Sequence, residues 1–118
     1  MENPWRFLPV DAPYVLDADK SAVDAFNLRA EPTHRIQTGV LPEPFIGRRN
    51  APIVLLNLNP GFDDHADRTY ADRYTQEVWR KNVLHEQLDY PFYFLDPQFR
   101  DSGGAQWWTS KLREPIEV

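Results

Sequence analysis

The 118-residue chain has no cysteine, which excludes a disulfide framework, a thiolate metal site and a Cys nucleophile. No stretch approaches the ~18–20 apolar residues of a membrane span. The N-terminus, MENPWRFLPVDAP, lacks the apolar core of a signal peptide and is punctuated by Pro4, Pro9 and Pro13. A cytoplasmic location is expected. Positive charge is scarce as well: 13 Lys and Arg stand against 18 Asp and Glu, for a net charge of −5. Nucleic-acid-binding domains are usually basic, so this balance weighs against tight nucleic-acid binding unless the cations are segregated. Glycine is sparse, and Gly103-Gly104 is not followed by the Lys-Ser/Thr of a phosphate loop. No Ser/His/Asp constellation is legible.

What is abundant is aromatic and proline content. Four Trp, seven Phe and five Tyr predict a core carried by large rings. Eleven prolines, about twice the usual share, predict many extended connections. Ten of the thirteen cations are Arg, the residue suited to bidentate contact with phosphate or carboxylate.

Residues 1–16 read as an irregular arm packing through Trp5, Phe7, Leu8, Tyr14 and Val15. A short helix follows, with Ser21 and Asp24 at capping-box spacing and an end near Leu28–Ala30, before Pro32. Arg35–Leu41 is a candidate short strand. LPEPFIGRRNAP is then a Pro-rich turn, with Phe45 and Ile46 as anchors and Gly47 and Asn50 as turn residues. Pro52–Leu58 is the strongest element. Its apolar run Ile53-Val54-Leu55-Leu56 predicts a strand buried on both faces, as in a parallel sheet covered by helices. A longer helix is predicted from Thr69, capped with Asp72, ending before Pro91. Tyr70, Tyr74, Val78, Leu84 and Leu88 form its stripe, and Glu77 and Lys81 an i, i+4 pair. Phe92–Leu95 reads as a second strand and Ala105–Arg113 as a final helix with Trp107, Trp108 and Leu112. The order is strand, helix, strand, helix. The expected architecture is a single α/β domain over residues 1–118, a partial three-layer α/β/α arrangement with a small, mostly parallel sheet.

In open α/β sheets, ligands bind beyond the carboxyl ends of the strands. Asn57-Leu58-Asn59-Pro60-Gly61-Phe62 would sit there. Pro60 fixes φ, Gly61 permits close approach by a ligand, and Asn59 before the proline is held extended. Asn57 and Asn59, two apart, share a side of a strand. The plainer reading is a common turn whose asparagines cap their own backbone, and the residues alone leave both open.

The run VLLNLNPGF resembles the first motif of the uracil-DNA glycosylase superfamily, whose mismatch-specific branch has an apolar strand followed by Gly-Ile-Asn-Pro-Gly. The preceding FIGRRNAPIVLL is similar to the lead-in of bacterial members. The resemblance covers about residues 44–62. It implies that Asn59 holds the water that attacks the sugar carbon and that Pro60 and Gly61 shape the floor of a base pocket. Phe62 would stack on the base, and Asn57 and Leu58 would complete the wall. It implies uracil- or mismatch-containing DNA as the partner, a base flipped out of the duplex, and no cofactor. Two departures stand out. Asn57 replaces the family's opening Gly, and no His-Pro-Ser-like second motif follows, His85 being the last His. The expectation is therefore a truncated or divergent member lacking the C-terminal part of the fold, either a glycosylase or a non-catalytic interaction module. A homodimer completing the sheet is a further possibility.

Arg68, Arg73 and Arg100 are candidate phosphate contacts, since they flank elements leaving the same edge. Arg48-Arg49 reads as a solvated turn at the opposite end. Asp63, Asp64, His65 and Asp67 are close enough in sequence to ligate a metal, or form an acidic loop ahead of a helix N-terminus. Of Trp107 and Trp108, about 100° apart on a helix, one is expected in the core and one partly exposed.

Overall fold

The computed structural model describes residues 1–57 and 71–117, the last four by their backbone alone. The elements that lie wholly among these residues are three α-helices, α1 (Asp17–Arg29), α2 (Arg73–Val83) and α3 (Gly103–Glu117), and four single 3-10 turns. Among the described residues there is no β-strand, so the expected α/β sheet is overturned. None of the helices among these residues is long and apolar enough to cross a membrane.

The core is aromatic, as the composition predicts, and it is built around α2. Val78, Trp79 and Val83 lie on one face of that helix and are buried. Trp79 meets Tyr93 at 4.2 Å between ring centroids, Phe99 at 5.5 Å and Phe94 at 5.7 Å, the last two edge-on. Edge-on and tilted rings set the positive edge of one π-system against the negative face of another. Phe92–Leu95 is therefore core but not strand. Tyr93–Leu95 forms a 3-10 turn that sends Tyr93 and Phe94 inward and leaves Leu95 exposed. A second turn, Pro97–Phe99, is capped by Asp96, whose carboxylate accepts from the Gln98 N–H at 2.9 Å and delivers Phe99 to the same cluster. α3 closes it: Ala105 is buried, and Gly104 lies so near Phe94 that a Cβ there would enter the ring.

Helix boundaries moved for identifiable reasons. α2 opens at Arg73, where Asp72 takes the N-cap and accepts from the Thr75 N–H at 3.0 Å, and the expected start at Thr69 lies outside the described residues. It stops at Val83, where His85 adopts φ +57° and the Glu86 N–H returns to the Lys81 carbonyl at 2.9 Å. That six-to-one bond is a Schellman closure. The Glu77–Lys81 pair forms at 3.1 Å. α1 starts at Asp17, four residues before the expected Ser21, with no side-chain cap and with Asp17 and Asp19 in its first turn. Arg35–Leu41 is not a strand; a 3-10 turn at Pro32–His34 precedes it. Trp108 is partly buried edge-on to Phe92 at 5.2 Å, whereas Trp107 is 46% exposed, the division expected of adjacent helical residues.

The N-terminal arm is tied to α2 by polar contacts. Asn3 donates to the Val83 carbonyl at 2.7 Å, and Arg80 donates to the carbonyls of Pro9 and Val10 at 2.9 and 2.5 Å. Leu8 is buried and Trp5 and Tyr14 pack against the core, but Phe7 is exposed.

Pro52–Leu58 is the largest correction. Through Asn57 it has no strand partner, and Ile53, Val54, Leu55 and Leu56 face solvent. A run apolar on both faces needs covering on both, and no described element packs there.

Candidate functional site

The described part of the site is the approach to the Asn-Pro-Gly run. Residues 45–51 are docked on the C-terminal end of α2 by one buried side chain, Asn82. Its amide nitrogen donates to the Phe45 carbonyl at 2.7 Å, and its amide oxygen accepts from the Gly47 N–H at 3.2 Å. A side-chain amide is suited to this, since it offers a donor and an acceptor at once. Gly47 has φ +105°, a backbone state that L side chains rarely adopt. The Phe45 ring stacks on His85 at 4.6 Å and 9°, so the left-handed residue that ends α2 also receives the loop. A turn bond from the Ala51 N–H to the Arg48 carbonyl at 3.2 Å completes the docking.

Between this loop and the segment following α2 lies an open cleft of about 400 Å³, within the rough 300–1,000 Å³ range of small-ligand sites. Arg48, Arg49, Asn50, His85, Glu86 and Gln87 give it a polar wall. Arg48 and Arg49, read from sequence as a solvated turn, are exposed and do border the cleft. Residues 32–57 hold Arg35, Arg48 and Arg49 against Glu43 alone, so the lead-in is a basic stretch of an acidic chain.

Two carboxylates, partly buried Glu43 and buried Asp96, hold the surroundings. Glu43 accepts from the Tyr93 hydroxyl at 2.5 Å, joining the Pro-rich turn to the aromatic core. Burial raises its pKa, against hydrogen bonds from Tyr93 and Trp79 that favour the ionised form. Asp96 accepts from the Tyr74 hydroxyl at 2.5 Å, and that hydrogen bond, with a smaller contribution from burial, pushes Tyr74 up to about 12.

Of the residues nominated from sequence, Asn57 is described and exposed. Leu58, Asn59, Pro60, Gly61, Phe62 and Arg68 lie outside the described residues, as do Asp63, Asp64, His65 and Asp67. Arg73 opens α2 and Arg100 caps the Pro97–Phe99 turn; both are exposed. Among the described residues no group of three His, Asp or Glu side chains is placed to hold a metal. Sequence reasoning missed Asn82, Glu43 and Asp96. Asn82 left a readable signal, a polar residue four positions after Val78 and beside Val83 on the apolar face of the helix. Glu43 and Asp96 left none, because their partners are 50 and 22 residues away.

Comparison with protein-family models, with curated proteins and with solved structures finds no match.

Proposed function

We propose that the chain recognises a flipped base in DNA through Asn57–Phe62 and hydrolyses its N-glycosidic bond in the manner of a uracil-DNA glycosylase. The observation that carries this reading is the sequence run Asn57-Leu58-Asn59-Pro60-Gly61-Phe62 behind an apolar segment and a docked lead-in. In this reading the Asn59 carbonyl oxygen orients water towards the anomeric carbon. An amide is no proton acceptor at neutral pH, so rate enhancement comes from positioning and from stabilising the negative leaving base. Pro60 and Gly61 form the floor, and Phe62 stacks on the base. Arg48 and Arg49 join Arg68, Arg73 and Arg100 as candidate phosphate contacts, since the basic lead-in offers the charge segregation that an acidic chain needs for DNA.

The test is incubation of the chain with uracil-containing, mismatched and undamaged oligonucleotides, followed by alkaline strand scission. Cleavage confined to modified DNA, abolished by Asn59→Ala, is the expected result. Binding with no preference for uracil or a mismatch, unchanged by Asn59→Ala, overturns it.

A second reading, a non-catalytic interaction module, is favoured by one observation: Ile53–Leu56 are four consecutive exposed apolar residues. Contiguous apolar surface of this kind marks association sites. A folded chain that binds no oligonucleotide and self-associates would favour it.

A further inference from the structure

Arg48 and Arg49 sit in a turn that is tied at both ends. The Gly47 N–H before them is held by the Asn82 amide oxygen at 3.2 Å, and the Ala51 N–H after them returns to the Arg48 carbonyl at 3.2 Å. Both arginines border the open cleft of about 400 Å³. Among the described residues neither side chain is engaged by a carboxylate, a hydrogen bond or an aromatic ring. The side-chain amides of Asn50 on the loop wall and Gln87 on the facing wall are equally unengaged by described residues. His85 supplies a ring. One face of its imidazole stacks on Phe45 at 4.6 Å and 9°. His85 is exposed and borders the cleft, whereas Phe45 is not part of its wall, so the cleft meets the imidazole on the side away from Phe45.

We propose that this cleft binds a ribonucleoside monophosphate, with the base against the open face of His85 and the phosphate against Arg48 and Arg49. Each part of that ligand answers a feature of the walls. Two guanidinium forks and two amides offer more donors than the two oxygens of a carboxylate take up, and they suit the three terminal oxygens of a phosphate. A stacked imidazole with a free face is a platform for a flat heterocycle, which any base supplies. Glu86 separates a nucleotide from a bare anion. Its carboxylate stands in the same wall and repels an isolated phosphate, but it accepts the hydroxyls of a ribose, as acidic residues do in nucleotide sites. The loop is already fixed by Asn82, so binding orders little new backbone. The site uses none of Asn57–Phe62 and stands whether or not the chain acts on DNA.

Isothermal titration calorimetry with adenosine 5′-monophosphate, adenosine and inorganic phosphate tests it. The monophosphate should bind roughly tenfold or more tightly than either part alone. Arg48→Gln with Arg49→Gln should remove its advantage over adenosine. His85→Asn keeps a residue tolerant of the left-handed turn and should weaken monophosphate binding roughly fivefold or more. Unchanged helical circular dichroism shows that both variants retain the fold. Proton NMR needs no variant: the His85 ring signals should move on adding the monophosphate. A monophosphate that binds no tighter than inorganic phosphate or adenosine, His85 signals that stay in place, or binding unchanged in either folded variant overturns the proposal. A uracil-containing oligonucleotide that needs the two arginines, from a chain that binds no free monophosphate, would assign them to DNA and overturn this proposal alone.

Discussion

Ile53-Val54-Leu55-Leu56 and Phe92-Tyr93-Phe94-Leu95 are apolar tetrads of equal length with opposite fates. The first is exposed at every residue; the second places Tyr93 and Phe94 in the core at 1% and 9% exposure. Hydropathy does not separate them. What separates them is company. Tyr93 and Phe94 meet Trp79 from α2, Phe99 from the next turn and Ala105 from α3, all within reach along a compact stretch of chain. A 3-10 turn is enough to aim two large rings at that cluster. Aliphatic side chains at 53–56 need covering surfaces on both sides, and the described helices supply neither. Burial is a property of a segment together with its partners, and aromatic rings make a core from fewer partners than aliphatic chains do.

The sharpest way to break this comparison is to truncate one residue in each region. Trp79→Ala removes the ring that organises the cluster and should cost about 3–5 kcal/mol. Ile53→Ala should cost no more than about 0.5 kcal/mol, as exposed substitutions do. Urea denaturation measures both. A cost at Ile53 comparable with that at Trp79 would mean that the segment is covered after all.

Asn82→Ala tests how the two regions are joined. It leaves the Phe45 carbonyl and the Gly47 N–H without their partner and should cost about 1–3 kcal/mol. Hydrogen exchange should then show faster exchange at Gly47 while the Trp79 region keeps its protection. Uniform acceleration through both regions would show that they are one cooperative unit.

Gly104→Ala probes the aromatic side alone. Alanine is favoured over glycine within a helix by about 1 kcal/mol. Its Cβ would meet the Phe94 ring, which is enclosed by other rings and cannot swing clear. Overpacking of about 1–3 kcal/mol should outweigh the propensity gain. A net increase in stability would reveal slack at Phe94.

The smallest expected effect is a dependence on pH. The folded-state pKa of Glu43 is raised by burial, so the native state binds its proton more tightly than the unfolded chain does. This contribution is fully present below about pH 4.5, the ordinary glutamate value, and is lost as pH rises through the raised value. Glu43→Gln keeps an acceptor for Tyr93 and should flatten that part of the urea midpoint profile. A profile with the same slope in both proteins would place the titration elsewhere.

How much was legible before folding can be judged residue by residue. Turn chemistry was in part: Gly47, read as a turn residue, occupies a left-handed φ. Local pairs and helix faces were also legible, as Glu77–Lys81 and the division of Trp107 from Trp108 show. These depend on neighbours within about one helical turn. The sheet was misread because an apolar run has the same hydropathy whether it is a strand, a turn into a core or an uncovered segment. At the candidate site Phe45 was legible as an anchor and Gly47 as a turn residue, whereas the Asn82 amide clamp that holds them was not.

The sequence by itself therefore determined an aromatic core, the presence of a helix through Val78 and of another through Ala105–Arg113, and the absence of thiol chemistry. Those follow from residue types and short-range spacing. The tertiary structure alone decided that Phe92–Leu95 turns into the core, that Ile53–Leu56 stays outside it, and that Asn82 holds the loop between them. Each of these depends on which distant surface is present to receive a side chain. Hydrophobic attraction has no direction of its own, and only the assembled packing supplies one.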